Sequence, residues 1–154
     1  MKKISKKDYG WLGLALRGIN PLFAEMWHRF EPMVFSDEAE SAELEIHNNN
    51  FRIVANPKFW KKCNNYKRLF IICHEMCHVM FGHWLINPKL NRELCNIAQD
   101  IQVNEFLMKM CFCKDKITDD DFCSIETVFK HKANKIKKSE NYLYYYNILV
   151  KCST

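Results

Sequence analysis

His74-Glu75-Met76-Cys77-His78 lies inside an apolar run from Leu69 to Trp84. Leu69, Phe70, Ile72, Cys73, Met76, Val79 and Met80 surround the five residues almost completely, which predicts a buried helix. Asn64 or Asn65 can cap its start, and Asn87-Pro88 is the expected stop. On such a helix two histidines four residues apart project from one face, near enough for both imidazoles to reach a single Zn²⁺ at about 2.0–2.1 Å. Glu75 is one step, roughly 100° of rotation, beyond His74. Its carboxylate therefore stands beside the metal position, free to act as a general base toward water without being a ligand.

The spacing H-E-x-x-H on a helix is that of zinc peptidases, although two core histidines with a glutamate between them would give the same five letters. A catalytic zinc needs three protein ligands and one open position, so a third residue must come from elsewhere. His83 is nearest, but nine steps from His74 is about 900°, the opposite side of a continuous helix. It could ligate only if Gly82 broke the helix. The extended pattern H-E-x-x-H-x-x-G-x-x-H is excluded, because Phe81 and Trp84 stand where glycine and histidine are required. Asp100 is preferred: Asn96, Asp100 and Asn104 fall at i, i+4 and i+8 on the next predicted helix, one polar stripe flanked by Ile97, Ala98, Ile101 and Val103. A partly buried carboxylate in such surroundings needs a counter-charge, and a metal ion supplies one. Glu93 and Glu105, nearer the ends of that helix, remain open.

Around this centre the chain reads as a mostly helical α+β domain. Apolar residues from Trp11 to Trp27 recur at helical spacing and break near Gly18 and Asn20-Pro21, which predicts two helical pieces or one kinked helix. Glu31-Pro32 and residues 36–41 read as loop. Glu43 to His47 alternates polar with apolar, Asn48-Asn49-Asn50 tolerates left-handed backbone, and Phe51 to Ala55 resumes, so a hairpin or small antiparallel sheet is predicted beside the motif helix. Asn91 caps a helix from Arg92 to about Met110. Beyond it come an acidic loop at Asp119 to Asp121, a helix from Ile125 and a last one near 139–150. One domain is expected over 1–154, with its core at about 9–110 and a helical extension at about 124–151.

At 154 residues, one domain can bury a substantial core, and no apolar stretch reaches the roughly 20 residues of a membrane span. Lys2 to Lys7 could imitate the basic region of an export signal, but Arg17 interrupts the following apolar run and no small-residue cleavage site is present. Eight cysteines scattered on helix-like faces are therefore expected to be reduced thiols in a cytoplasmic protein. Cys111, Cys113 and Cys123 match no strong zinc spacing. The net charge of +5 comes mostly from Lys2–Lys7 and His131–Lys138, runs that are usually solvated faces. Nucleic acid is not the expected partner.

Three segments together resemble a known family: the hairpin ending Phe51-Arg-Ile-Val-Ala-Asn-Pro57, the helix His74-Glu-Met-Cys-His-Val-Met-Phe-Gly-His83, and Asn96-Ile-Ala-Gln-Asp-Ile-Gln-Val-Asn104. In order and spacing they are similar to the metallopeptidase domain found N-terminal to von Willebrand A-like domains in bacterial metal-dependent peptidases. The likeness covers roughly Pro21 to Leu107. It implies a zincin-like fold, a metal held by His74, His78 and Asp100, and Glu75 as catalytic acid/base.

These readings converge on a zinc metallopeptidase with one Zn²⁺ and a peptide or protein substrate. The strand Phe51–Ala55, if it is a sheet edge, could hold the substrate backbone. Tyr142, Tyr144, Tyr145, Tyr146 or His47 could stabilise the oxyanion. Two rivals remain: a non-catalytic zinc-stabilised interaction module, and a regulator-cleaving or DNA-associated protease that shares H-E-x-x-H.

Overall fold

Local signals set the first elements. Ser5 accepts a hydrogen bond from the Asp8 amide and starts helix α1 (Lys6–Ile19). Asn20 accepts from the Leu22 amide and Pro21 occupies the first turn of α2 (Pro21–Arg29), so the predicted break is a cap followed by proline. The two helices approach closely where the sequence allows it. A Cβ on Gly13 would lie 3.3 Å from Trp27 Cδ1, and Trp27 Nε1 donates to the Tyr9 carbonyl at 3.1 Å.

The structure is a computed structural model that describes residues 1–117 and 122–153; the acidic stretch expected at Asp119 to Asp121 lies outside the described residues. The chain divides into two compact units, Met1–Met76 and Cys77–Thr154. The first contains a four-stranded sheet built from β1 (Lys2–Lys3), β2 (Val34–Phe35), β3 (Ala42–His47) and β4 (Asn50–Ala55), in the order β1-β2-β4-β3. The predicted hairpin is β3–β4, with Leu44 opposite Ile53 and His47 opposite Asn50. Its turn has Asn48 at φ 51° and Asn49 at φ 59°, the two left-handed residues that match the twist of antiparallel strands.

Two expectations need correction here. The sheet is mixed rather than antiparallel, because β2 pairs parallel with β4; strands of two residues carry no periodicity to read. Consequently Phe51–Ala55 is not a sheet edge. It lies between β2 and β3, and Ile53, Val54 and Ala55 are buried. The edge strands are β1 and β3, of which β3 is the longer.

After β4, Asn56 accepts from the Lys58 and Phe59 amides and starts α3 (Pro57–Lys62). Helix α4 (Asn65–Met80) follows, capped by Asn64, which accepts from the Lys67 amide. Arg68 donates twice to the Trp60 carbonyl, at 3.1 and 2.9 Å, and its guanidinium lies over the Trp60 ring. These contacts pin the first turn of α4 to α3.

In the second unit the structure corrects the end of α4. The helix stops at Met80, well before Asn87-Pro88. Gly82 sits at φ 72°, its amide donates to the Val79 carbonyl at 3.0 Å, and the His83 amide donates to the His78 carbonyl at 2.8 Å. This pair of bonds closes a helix on a left-handed residue. Helix α5 (Arg92–Met110) packs against α7 (Tyr142–Cys152), with the short α6 (Ile125–Phe129) before it. Ala98, Ile101, Ile125, Phe129, Tyr145 and Tyr146 form the core of this unit. Among the described residues no helix is long and apolar enough to cross a membrane.

Candidate metal centre

Helix α4 presents His74, Glu75 and His78 together: one ligand atom from each lies within 4.8 Å of the others. The helix repeat alone brings them there, since i and i+4 share a face and i+1 stands beside it. The opposite faces are filled by Ile72, Cys73, Met76 and Cys77, all inaccessible to solvent, so the helix cannot turn its histidines away without exposing core. Phe70, one turn earlier, packs against the His74 ring at 6.0 Å between centroids. Glu75 is 8% exposed, a low value for a carboxylate, which is rarely buried without a counter-charge.

Asp100 meets this helix at His78. Its Oδ1 stands 3.2 Å from His78 Nε2. The polar stripe predicted on α5 is graded in burial: Asn96 is exposed, Asp100 half-buried and Asn104 buried. Asn104 is engaged elsewhere, donating through Nδ2 to the Cys123 carbonyl at 2.8 Å.

The other candidates have different surroundings. Glu105 Oε1 accepts from the Ile125 amide at 2.7 Å and so fixes the start of α6. Glu93 is exposed in the first turn of α5, where an acidic side chain complements the helix dipole. Gly82 does break α4, as ligation by His83 requires. The resulting turn directs His83 Nδ1 to His78 Nδ1 at 2.9 Å and His83 Nε2 to Gln102 Oε1 at 2.7 Å. His83 thus meets the ring of His78 at Nδ1, whereas Asp100 stands at Nε2. Sequence reasoning missed Gln102, because no spacing rule connects it with His83; a glycine and histidine directly after the motif helix were the available signal.

Of the groups considered for an oxyanion, four are engaged in holding local structure. His47 pairs with Glu31 at 2.7 Å. Tyr146 Oη accepts from the Asn91 amide, Tyr144 Oη accepts from the Lys137 amide, and Tyr145 Oη donates to the Lys137 carbonyl. The Tyr142 ring stands edge-on to His83, 5.2 Å between centroids.

Cys77, inside the motif, is fully buried. Burial, and secondarily the charge of Cys111, pushes its thiol up to about 12. Buried at 0% exposure, it serves as a small apolar group of the core. Among the described residues Cys111, Cys113 and Cys123 form no disulfide, and the first two are exposed.

The donor set fits a divalent ion of borderline softness, since imidazole nitrogens and a carboxylate are its ordinary ligands. In a tetrahedral site with bonds of about 2.0–2.1 Å, two ligand atoms are separated by about 3.3 Å. The 3.2 Å between His78 Nε2 and Asp100 Oδ1 matches that edge.

No curated protein and no solved structure matches the chain. A family model described as "Putative metallopeptidase domain" matches residues 19–144, a span that contains α4, α5 and the hairpin. The chain belongs to that metallopeptidase-domain family.

Proposed function

We propose that this chain is a zinc-dependent peptidase of zincin-like fold, in which His74, His78 and Asp100 hold the ion and Glu75 is the general acid/base. The observation that carries the reading is the approach of Asp100 Oδ1 to His78 Nε2, at the separation of two ligands on one metal. A bound zinc supplies Lewis acidity, polarising a substrate carbonyl and bringing the pKa of water at the ion to about 7.

The residues of the chain do the rest. Glu75, buried beside the two imidazoles, takes the proton released as water attacks the carbonyl carbon, then gives it to the departing amine. One carboxylate serves both steps because the proton it gains is the proton the amine lacks. A site that served structure alone would have no use for Glu75 in this position, which is why the peptidase reading is preferred to a non-catalytic interaction module.

The test uses an unfolded protein substrate and purified chain loaded with zinc. Glu75→Gln keeps the shape and removes the base; it should retain stoichiometric zinc and lose activity by about 10²–10⁴-fold, the usual contribution of general acid–base catalysis. Full activity in that variant would take Glu75 out of the chemistry. His74→Ala should lose both metal and activity.

A further inference from the structure

Three polar groups of the second unit form a chain that ends on His78. The Tyr142 amide faces Gln102 Oε1 at 3.0 Å, and His83 Nε2 faces the same oxygen at 2.7 Å. His83 Nδ1 then faces His78 Nδ1 at 2.9 Å.

With both imidazoles neutral, the direction of every bond follows from chemistry. A backbone amide only donates, so the Gln102 atom it faces must be the carbonyl oxygen, and the amide group cannot be flipped. That oxygen only accepts, so His83 Nε2 carries the proton. A neutral imidazole protonated at Nε2 offers a lone pair at Nδ1. His83 Nδ1 therefore accepts, and His78 Nδ1 must donate. The remaining nitrogen of His78, Nε2, is left with a lone pair aimed at the Asp100 carboxylate, 3.2 Å away. A metal cation between the two atoms would satisfy both, as a proton on Nε2 would.

We propose that Gln102 and His83 form a tautomer-fixing relay that holds His78 in the Nδ1–H form, presenting Nε2 to a divalent cation. This rests on the metal site proposed above. His83 is a positioning residue and not the third ligand. The ends of the relay are anchored: Tyr142 opens helix α7, Gln102 lies on α5, and the left-handed turn at Gly82 sets His83. The rings of Phe81 and Tyr142 flank His83 at 5.8 and 5.2 Å between centroids. Histidine ligands generally donate their second N–H to a fixed acceptor, and removal of that acceptor typically weakens metal binding by about 10–100-fold. Here the acceptor is itself a histidine, whose own tautomer is fixed one step further out.

Two measurements test it. Long-range ¹H–¹⁵N spectra of the wild-type chain, with and without zinc, should show His83 protonated at Nε2 in both states and His78 protonated at Nδ1 in the zinc form. A proton on His83 Nδ1 in the zinc form overturns the relay, and this readout needs no variant to fold. In chelator competition, His83→Phe and Gln102→Leu should weaken zinc binding by about 10–100-fold, while Gln102→Glu, which keeps an acceptor oxygen, should bind within a few-fold of wild type. Wild type that fails to bind zinc defeats the metal site itself. Wild type that binds zinc no more tightly than folded His83→Phe defeats the relay alone.

Discussion

Asp100 and Glu105 are carboxylates five residues apart on α5, and their partners separate their work. Asp100 faces an imidazole nitrogen at 3.2 Å, whereas Glu105 accepts a backbone amide at the start of α6. Glu105→Ala should therefore cost about 1–3 kcal/mol, the usual loss when a charged acceptor leaves an amide unpaired. Zinc affinity in that variant should stay within about twofold of wild type, as read by thermal melts beside chelator titration. Asp100→Ala should do the reverse, losing zinc with a smaller change in the melt of the metal-free chain. Cys77 offers a second test at this scale. Its thiol is raised from 9.0 to about 12 by burial, so below pH about 9 it is protonated whether the chain is folded or not. Above that pH the unfolded chain ionises first, and stability through this group declines as pH climbs toward about 12. At pH 8 an alkylating reagent should mark the exposed Cys113 and Cys152 well before Cys77, as followed by peptide mass spectrometry. Equal rates would mean that α4 opens readily.

Among the elements, α4 is legible as the helix that gathers His74, Glu75 and His78, but not in its extent. The spacing of His74, Glu75 and His78 is local, and a helix is the element that turns such spacing into a cluster. The stop was hidden because Phe81, Trp84, Leu85 and Ile86 keep the apolar character going past Gly82 toward the more conspicuous Asn87-Pro88. Only the pairing of Gly82 and His83 amides with carbonyls one turn back reveals the end. Gly82→Ala tests that stop. A Cβ there meets nothing closer than Leu85 Cδ1 at 3.9 Å, so the cost is backbone conformation rather than collision, about 1–2 kcal/mol. Gly82→Asn should lose less, because asparagine tolerates the left-handed region. If alanine melts no earlier than asparagine, the turn has another conformation. The hairpin was legible for a related reason: three asparagines between alternating stretches specify the turn. Strands β1 and β2 were not, since two residues give no period and their pairing depends on partners far along the chain.

For the whole molecule, the α+β character and the metallopeptidase family were legible, because composition, helix caps and the motif all point the same way. What stayed illegible is the pairing of distant polar groups, such as Gln102 with both His83 and the Tyr142 amide, 19 and 40 residues away respectively. The proposed metal binds the folded chain and not the unfolded one, so it should add stability in proportion to the logarithm of its concentration. At about 100 times its dissociation constant, zinc should contribute about 2.7 kcal/mol. A chelator should lower the wild-type melting temperature by several degrees and leave that of Asp100→Ala almost unmoved; an equal shift in both would place the stabilising ion elsewhere.

The sheet carries a consequence of a different kind. Its outer strand, β3, ends the order β1-β2-β4-β3 and bears Glu43 exposed, with Glu45 paired to Arg52 of its neighbour. Two molecules meeting border to border along this strand would bring like charges together, which discourages runaway stacking into fibrils. The charge at Glu43 thereby sets the open backbone ribbon of β3 against pairing with itself.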